Sequence, residues 1–229
     1  YLQRLLENSG ERLDAFAKSA TLRDVMQDVP ARAALLEAER DRLGFDFIYI
    51  TDGTEGPADF KPRDWPVIRS ALAGQWRSAV DILSPWQLDA LSPGLAEQAA
   101  IRLVPTRAAV PTDREIEDRG MIIHSAAPLR LSDGRTGALV GGLLLNRNLN
   151  FIDTINSLVY REQSLPAGSQ GTATLFLEDV RVSTNVRLFE NVRALGTRVS
   201  AAVRNRVLSK GQVWLDRAFV VNDWYISAY

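Results

Sequence analysis

The chain has 229 residues, of which 46% are hydrophobic and 24% are charged, and its formal net charge is −1. This is an ordinary globular composition, and the length suffices for one large domain or two small ones. The near-zero charge gives no argument for nucleic acid or an anionic membrane surface as a partner. The absence of cysteine excludes disulfides and thiolate metal sites, and a single histidine makes a zinc site unexpected.

Residues 1–44 are predicted to be helical. Over residues 1–20, apolar residues recur at steps of three, four and seven: Leu2, Leu6, Leu13, Phe16 and Ala20. This spacing predicts an amphipathic helix that either packs on one domain or belongs to a long helix leading out of a membrane. The near-heptad stripe also suits a parallel dimer contact. Thr21 with Asp24 predicts a second helix, and Pro30 begins a third that ends at Gly44.

Residues 45–150 are predicted to form a first α/β module. Its strands are expected at Phe45–Thr51, Gln75–Leu83, Gly120–Leu131 and Thr136–Asn146. The sequence SDGR at 132–135 predicts a tight hairpin between the last two strands. The near-continuous apolar run GALVGGLLL predicts a central strand, in which Gly141 and Gly142 allow another group to approach the backbone closely.

Short helices and polar loops separate these strands. Asp64 is expected to cap a helix that Gly74 ends, and Ser-Pro pairs at 84–85 and 92–93 each predict a short helix, the second reaching Leu103. The loop before Pro62 contains Gly56 and Pro57. Residues 105–119 are predicted to be a polar loop, either a lid or a disordered excursion.

Residues 151–229 are predicted to form a second α/β module. A helix is expected at Phe151–Tyr160, a loop at 161–170, and strands at Thr172–Leu177, Val180–Val186, Val213–Val221 and Trp224–Tyr229. A helix that begins near Thr197 or Ser200 and ends at Gly211 carries an apolar stripe on one face: Val199, Val203, Val207 and Leu208. Asn222-Asp223 suits a tight hairpin turn. The two modules share an order of elements, without a residue-level repeat.

Five segments carry a resemblance to a known family: LFLEDVRVSTNV, RALGTRVSAAV, VLSKG, WLDRAFVV and WYISAY. They resemble the Cache family of extracytoplasmic sensor domains, and more narrowly the membrane-proximal half of a double Cache domain from a bacterial two-component sensor histidine kinase. The stretch GGLLLNRN and the helical N-terminus are more loosely similar. The resemblance implies an α+β fold, in which a long N-terminal helix precedes two tandem PAS-like modules with antiparallel sheets.

The resemblance also implies boundaries and a setting. It divides the chain into a helical segment at 1–44, a membrane-distal module at 45–150 and a membrane-proximal module at 151–229. In this family the last strand continues toward a transmembrane helix, so we expect the chain to be cut within that strand. No apolar run approaches the roughly 20 residues of a membrane span, and no signal peptide is present. Membrane anchors are therefore expected in flanking segments.

The function that the resemblance implies is ligand sensing on the periplasmic or extracellular face of the bacterial inner membrane. The chain would bind a small, anionic metabolite and act as a parallel homodimer within a membrane-bound histidine kinase. The ATP-dependent chemistry would lie elsewhere, and no cofactor or metal is expected in this chain. A chemoreceptor or a cyclic-dinucleotide enzyme could carry the same domain. A stand-alone soluble binding domain is the alternative from a different class.

Enzyme chemistry within the chain has weak support. His124 is the single histidine, so a catalytic triad would need it as base. It lies in a predicted strand without a G-x-S-x-G elbow, and the sequence has no phosphate-binding glycine motif. A buried histidine with one hydrogen bond is the simpler interpretation, and we expect this chain not to be an enzyme.

A ligand site is expected first in the membrane-distal module, because double Cache sensors usually bind there. An anionic metabolite needs a cation and aromatic walls, and the residues that offer them are Tyr49, Arg63, Trp65, Arg69, His124 and Ser125. Trp65 and Arg69 are four apart on the predicted helix, so they are expected to share a face. Arg63 to Pro66 partly matches the R-x-W-Y element of some amino-acid-binding relatives, with proline at the tyrosine position. The alternative interpretation is structural, in which Trp65 belongs to the hydrophobic core and Arg69 is a solvated charge.

The membrane-proximal module offers a second candidate site, because related single-Cache sensors bind small carboxylates in this module. Its candidate residues are Arg181, Thr184, Arg198, Trp214 and Tyr225. Alternation along the strand places Arg181 on one face and Thr184 on the other. Arg181 is therefore expected either in a pocket or in solvent.

Overall fold

The computed structural model describes residues 1–54, 61–160, 165, 171–189, 192–221 and 223–229. They form two compact units, where unit 1 is Tyr1–Ala99 with Arg119–Leu144 and unit 2 is Ala100–Asp118 with Leu145–Tyr229. The units differ from the predicted modules chiefly at residues 100–118, which belong to unit 2. The reason is hydrogen bonding, since Val104 N donates to the Gly196 carbonyl at 2.9 Å. In the described part of the chain, no helix is both long and apolar enough to cross a membrane.

The elements are as follows in chain order. The helices are α1 (Leu2–Ala17), α2 (Ala20–Asp24), α3 (Val29–Leu43), α4 (Pro66–Leu72), α5 (Pro85–Leu91), α6 (Leu95–Ala99), α7 (Leu149–Val159) and α8 (Ala201–Arg204). The strands are β1 (Phe47–Thr51), β2 (Arg77–Leu83), β3 (Ile101–Arg102), β4 (Ile116–Glu117), β5 (Gly120–Arg130), β6 (Thr136–Leu144), β7 (Thr174–Leu177), β8 (Val180–Thr184), β9 (Arg187–Phe189), β10 (Val192–Arg193), β11 (Leu215–Val220) and β12 (Asp223–Ala228). A 3₁₀ turn spans Pro62–Asp64, and a π-helical turn spans Asn205–Ser209.

Some helices of unit 1 begin and end for the predicted local reasons, but the predicted caps of two helices are wrong, because Ser19 caps α2 and Trp65 is the N-cap of α4. The apolar face of α1 buries Leu13 and Phe16, as the spacing of these residues predicts. Gly44 ends α3 at a φ of 69°, in the left-handed region that glycine adopts readily. Ser84 N donates to Gln87 Oε1 at 2.9 Å in the first turn of α5. The expected helical run to Leu103 is wrong, because α6 ends at Ala99 and the next residues pair as a strand.

The sheet of unit 1 is antiparallel, with the strand order β1-β6-β5-β2. The predicted hairpin between β5 and β6 is confirmed, and Gly134 adopts a φ of 84° within it. Gly141 and Gly142 allow close approach as predicted, since the rings of Phe45 and Phe47 occupy the places where their Cβ atoms would lie. The predicted loop at Gly56 and Pro57 lies outside the described residues.

Both faces of this sheet are covered. One face packs under α4, α5 and α6, whose buried residues include Val67, Ile68 and Leu88. The other face packs under α1, α2 and α3, where Leu13 and Leu22 are fully buried. A β5 or β6 residue therefore points toward one helical layer or the other according to its parity. This parity decides which predicted residues can meet.

Unit 2 contains two-stranded ladders, which pair β3 with β4, β7 with β8, β9 with β10, and β11 with β12. The predicted strands of this unit are confirmed, three with shorter bounds and the last shifted by one residue to Asp223–Ala228, and the sequence does not predict the hairpin β9–β10. The expected helix from Thr197 or Ser200 to Gly211 is present as α8 followed by the π-helical turn. The predicted loop at 161–170 and the turn residue Asn222 lie largely or wholly outside the described residues. The fold is therefore α+β with an N-terminal helix and antiparallel sheets, as the PAS-like resemblance implies.

Residues 103–115 form an anchored loop between β3 and β4. Ala201 N donates to the Ala108 carbonyl at 2.7 Å, and Arg198 Nη1 donates to the Val110 carbonyl at 2.6 Å. Leu103 N donates to the Glu115 carbonyl at 2.8 Å across the base of the loop. Of the two interpretations of this polar stretch, a disordered excursion does not describe it, because these bonds hold it within unit 2.

Candidate functional site

His124 and Tyr49 lie on the same face of the unit 1 sheet. His124 is paired with Gly142 across the ladder and Tyr49 with Val140, two positions along β6, so both point toward α4. His124 is fully buried, and its Nδ1 lies 2.9 Å from Asp81 Oδ2. Its Nε2 and the Tyr49 hydroxyl are buried without a hydrogen-bond partner among the described residues. Burial raises the pKa of Tyr49, so the hydroxyl keeps its proton at neutral pH.

A cavity of about 380 Å³ opens beside this pair. Trp65, which is half-buried, meets the His124 ring edge-on with ring centroids 5.5 Å apart. The cavity is lined by Lys61, Asp64, Trp65, Pro66, Asp81, Trp86 and Gln87. The two indoles and two carboxylates in this lining outweigh the one ammonium group. The cavity therefore suits a cationic group better than the expected anion.

Five of the six predicted residues of unit 1 are absent from the lining of this cavity, His124 and Tyr49 among them. Arg63 and Arg69 are exposed and are absent from the lining. Trp65 is the extended N-cap of α4, at φ −86° and ψ 122°, so its expected helical alignment with Arg69 is wrong. Ser125 points to the opposite face, where its hydroxyl lies 2.7 Å from that of Ser78. The expected lining by Tyr49, Arg63, Arg69, His124 and Ser125 is therefore corrected.

A larger functional candidate lies entirely within unit 2, where a cavity measures about 430 Å³. We call it the unit 2 cavity. Its apolar wall includes the stripe that the sequence predicts on the helix after Ser200: Val199, Val203, Val207 and Leu208. Its aromatic wall is built from Tyr160, Phe176, Tyr225 and Tyr229. Two arginines, Arg181 and Arg204, and one acid, Glu178, also line it.

Arg181 is the buried cation of the unit 2 cavity. Only 2% of the residue is exposed, and its guanidinium carbon lies 5.1 Å from the Phe176 ring centroid. Its Nη1 donates to Thr197 Oγ1 at 2.7 Å, whereas its Nε is buried without a hydrogen-bond partner in the described residues. Burial is the largest influence on the Arg181 pKa and lowers it, while Tyr229 acts in the opposite direction. A guanidinium stays charged in proteins, so this is a cation without a carboxylate partner in the described structure.

Aromatic side chains shield this cation from water. The rings of Phe176 and Tyr229 have centroids 5.6 Å apart. Tyr225 packs against the same buried cluster as Val203 and Val220. Arg204, at the wall of the cavity, has its Nε 3.4 Å from Asp179 Oδ2. The arrangement therefore combines one unpaired guanidinium, one paired guanidinium and a largely apolar enclosure.

Two of the five predicted residues of the proximal module line the unit 2 cavity, namely Arg181 and Tyr225. Thr184 is fully buried, and its hydroxyl lies 2.6 Å from that of Thr174. Arg198 is bound to Asp179 Oδ2 at 2.7 Å and lines a different cavity. Trp214 packs against the buried cluster with its Nε1 unpartnered among the described atoms. The expected lining by Thr184, Arg198 and Trp214 is corrected in this respect.

Sequence reasoning missed several residues of the two cavities. Phe176 and Tyr229 were assigned to strands without a role, although an aromatic beside an arginine on a neighbouring strand is a signal for a cation–π contact. Asp81 is not among the candidates from the sequence, although its strand pairs with the one that carries His124. Trp86 directly follows the predicted Ser-Pro helix start. Each of these residues lies beside a residue or an element that the sequence did indicate.

The comparison with protein families bears on unit 2. A family model described as single Cache domain 3 matches residues 143–229. This stretch is similar to a Cache sensor domain. The match contains every residue that lines the unit 2 cavity. Cache domains are typically extracellular or periplasmic sensor domains, and the match supports ligand sensing as the role of this part of the chain.

Among solved structures, the chain is similar to the ligand-binding domain of the Pseudomonas aeruginosa PAO1 amino acid chemoreceptor PctB in complex with L-Arg. The identity is 18%, the TM-score is 0.30, and the similarity covers 80% of this chain and 68% of that one. Because the TM-score is below 0.5, this similarity supports no inference about the ligand of this chain. A search of curated proteins found no match.

Proposed function

We propose that this chain is the extracytoplasmic ligand-sensing part of a bacterial membrane receptor, and that its Cache domain binds a small carboxylate in the unit 2 cavity. The observation that carries the proposal is Arg181, a buried guanidinium whose Nε–H has no partner among the described residues. An unpaired charge in a buried setting is costly. A ligand carboxylate would supply both the missing acceptor and the missing charge.

The enclosure favours a small organic acid over a bare inorganic ion. A carboxylate can receive two N–H groups from one guanidinium, which fixes its orientation as well as its charge. Phe176 and the valines of the helical stripe would surround the remainder of the ligand. A cavity of about 430 Å³ is of the size that encloses small molecules. Arg204 would hold a second polar group of the ligand at the wall.

The output of the receptor is the finer part of the proposal. The resemblance of the C-terminal segments favours a two-component histidine kinase, which would act as a parallel dimer with its sensor on the periplasmic face. In this proposal the chain performs no catalysis, and ligand binding shifts a population between two arrangements of the helices that connect to the membrane. A chemoreceptor, a cyclic-dinucleotide enzyme or a stand-alone binding domain are the alternatives. The complete gene distinguishes them by its flanking hydrophobic segments and its output domain.

Unit 1 supports a second candidate function, the binding of an amine. Asp81 is 19% exposed at its side chain and opens to the same cavity as the indoles of Trp65 and Trp86. A carboxylate beside aromatic faces attracts an ammonium group through charge and through the ring quadrupole. The Asp81–His124 pair fixes the carboxylate in place. A ligand with both an amine and a carboxylate has no cation to meet it in this lining other than Lys61.

The experiment is a thermal-shift screen of the chain against small carboxylates, their neutral amides, and amines. A ligand at 100 times its dissociation constant stabilises a protein by about 2.7 kcal/mol, which is readily detected. A carboxylate hit, with its amide inactive, is then titrated against Arg181→Lys and against Arg217→Lys, an exposed arginine of β11. We expect loss of binding in the first variant and not in the second.

The outcomes separate the two units. Binding that survives Arg181→Lys would overturn the proposed carboxylate site, as would a screen in which no carboxylate stabilises the chain. An amine hit that is lost in Asp81→Asn would establish the second candidate instead. Equal loss in both arginine variants would show that binding does not depend specifically on the Arg181 guanidinium and would contradict the proposal.

A further inference from the structure

A second cavity of unit 2 lies under the loop at 103–115 and measures about 520 Å³. We call it the loop cavity. Its lining includes four arginines and one acid: Arg102, Arg107, Arg114, Arg198 and Glu115. We propose that the loop cavity binds a phosphate-class oxyanion through this arginine cluster. The proposal concerns a different site from the unit 2 cavity and does not depend on the proposed carboxylate function.

Two of these arginines are already paired with carboxylates of unit 2. Arg114 Nη2 donates to Glu117 Oε2 at 2.5 Å, and Glu117 is fully buried. Arg198 Nη2 donates to Asp179 Oδ2 at 2.7 Å, and the side chain of Asp179 is 4% exposed. These two ion pairs fix the positions of Arg114 and Arg198 at the cavity wall. They do not neutralise the other two arginines.

Arg102 and Arg107 supply the uncommitted charge. Both are exposed, and neither has an ion pair or a side-chain hydrogen bond in the described part of the chain. Glu115 is the one carboxylate of the lining, so the two free guanidinium groups outnumber it. Gathering like charges around one opening is unfavourable in the absence of a counterion. An oxyanion offers several acceptors to groups that carry only donors.

The loop that forms the cavity is built before any ligand arrives. Thr106 Oγ1 accepts from Arg198 N at 3.1 Å and donates to the Val104 carbonyl at 3.0 Å. Arg198 Nη1 donates to the Val110 carbonyl on the far side of the loop. Binding therefore needs only the ordering of two exposed arginine side chains. Preorganisation of this kind lowers the cost of binding.

The polar, arginine-rich lining distinguishes the loop cavity from the unit 2 cavity. Its apolar residues are confined to loop positions such as Val104, Pro105 and Pro111. It contains no aromatic side chain among the described lining residues. Arginine forks match phosphate geometry with two parallel N–H groups. The chemistry thus favours a phosphate or sulfate group over an organic acid with a large apolar part.

The test is calorimetric titration of the whole chain with inorganic phosphate at low ionic strength. The site variant is Arg102→Gln with Arg107→Gln, and the control is Arg69→Gln with Arg217→Gln, which removes the same charge from two exposed positions elsewhere. A hydrogen bond to a charged group contributes about 1.5–3 kcal/mol, so loss of the pair should weaken binding by roughly 100-fold or more. We expect the control to bind within about twofold of the parent chain.

Vesicles carrying an anionic phospholipid form the second arm, because a lipid headgroup presents the same chemistry as free phosphate. Cosedimentation that is lost in the site variant and kept in the control would assign the headgroup as the source. Three results would overturn the proposal: no binding in either arm, equal weakening in both variants, or binding that the site variant retains. Unchanged circular dichroism spectra and melting temperatures of both variants exclude a folding defect, which is expected because the four replaced side chains are exposed.

Discussion

Arg181, whose guanidinium is also hydrogen-bonded to Tyr229, donates from its buried Nη1 to Thr197 Oγ1 at 2.7 Å beside the unit 2 cavity. Both partners are hydroxyl groups, so the positive charge of Arg181 stays uncompensated. Natural cores seldom keep such a group for stability, because a well-packed apolar side chain is often as good or better. A residue of this kind is expected where a ligand supplies the missing charge.

Arg181→Met should therefore separate stability from binding. We expect the free energy of unfolding of the ligand-free chain to stay equal or to rise by about 1–4 kcal/mol, because an unpaired buried charge is removed. Binding of the carboxylate found in the screen should be abolished. Urea unfolding and calorimetry measure the two quantities.

Arg198→Met is the matched control, because Arg198 is bound to Asp179 at 2.7 Å and to the Val110 carbonyl at 2.6 Å. Its loss breaks a buried ion pair and should cost about 3 kcal/mol. If Arg181→Met destabilises the ligand-free chain as much as Arg198→Met does, then Arg181 has a structural role and the argument from its unpaired charge fails.

Thr197→Val tests the hydrogen bond itself. The Thr197 hydroxyl accepts from Arg181 and donates to the Ala194 carbonyl at 2.8 Å. Its removal should lower the free energy of unfolding by about 1.5–3 kcal/mol, because a charged donor loses its acceptor in a buried setting. In the Arg181→Met background the loss should be smaller by at least about 0.5 kcal/mol. Additive losses would show that the two groups do not interact.

Asp46 provides a prediction about pH. Its Oδ2 accepts from Leu144 N at 2.6 Å, and burial, the largest influence, raises its pKa above the usual value. Between the unfolded and the higher folded pKa, the folded chain holds the extra proton, so this group lowers stability as pH rises through that window. Asp46→Asn should remove this loss, since an amide oxygen can still accept from Leu144.

The measurement is the free energy of unfolding of Asp46→Asn relative to the parent chain at pH 3 and at pH 7. The variant should gain stability relative to the parent as pH rises, with the gain complete above the folded pKa. Asp24→Asn, the same substitution at an exposed position at the end of α2, serves as the control for the change of net charge. A relative stability that falls with rising pH would contradict the argument.

Gly196 tests the anchoring of residues 100–118 in unit 2. It has a φ of 76°, and an added Cβ would lie 2.0 Å from the Arg102 carbonyl oxygen. Gly196→Ala should lower the free energy of unfolding by at least about 2–4 kcal/mol. The backbone must move to admit the Cβ, and the alanine must also adopt a strained positive φ. Gly211→Ala, at a φ of 61° with open space around it, should cost about 1 kcal/mol from strain alone. Equal losses in urea unfolding would show that the β3 segment does not approach Gly196.

The local chemistry of the chain was predictable where one residue decides the backbone. Gly44 and Gly134 end or turn their elements as predicted, because each adopts a positive φ that glycine tolerates. The apolar stripe of Val199, Val203 and Val207 was also predicted, although the sequence could not show that it borders a cavity. Periodicity identifies a covered face and not what covers it.

The candidate sites were predicted only in part, for physical reasons. Alternation should place Arg181 and Thr184 on opposite faces, yet every residue of β8 is buried, so parity could not show which side faces a cavity. The helical spacing of Trp65 and Arg69 failed because α4 begins after Trp65. The assignment of residues 100–118 to unit 2 depends on hydrogen bonds to residues about 90 positions away. Such long-range pairing leaves no periodic signal.

The most direct test of the carboxylate site is the NMR signal of the Arg181 Nε–H during titration with the carboxylate found in the screen, assigned by its absence in Arg181→Lys. We predict that this resonance shifts and exchanges more slowly with water as the ligand saturates, because the ligand becomes its acceptor. The chemical shifts of the indole N–H groups of Trp65 and Trp86, which line the cavity beside Asp81 in unit 1, should not change. Saturable binding that moves those indoles and leaves the Arg181 Nε–H unchanged would contradict the account.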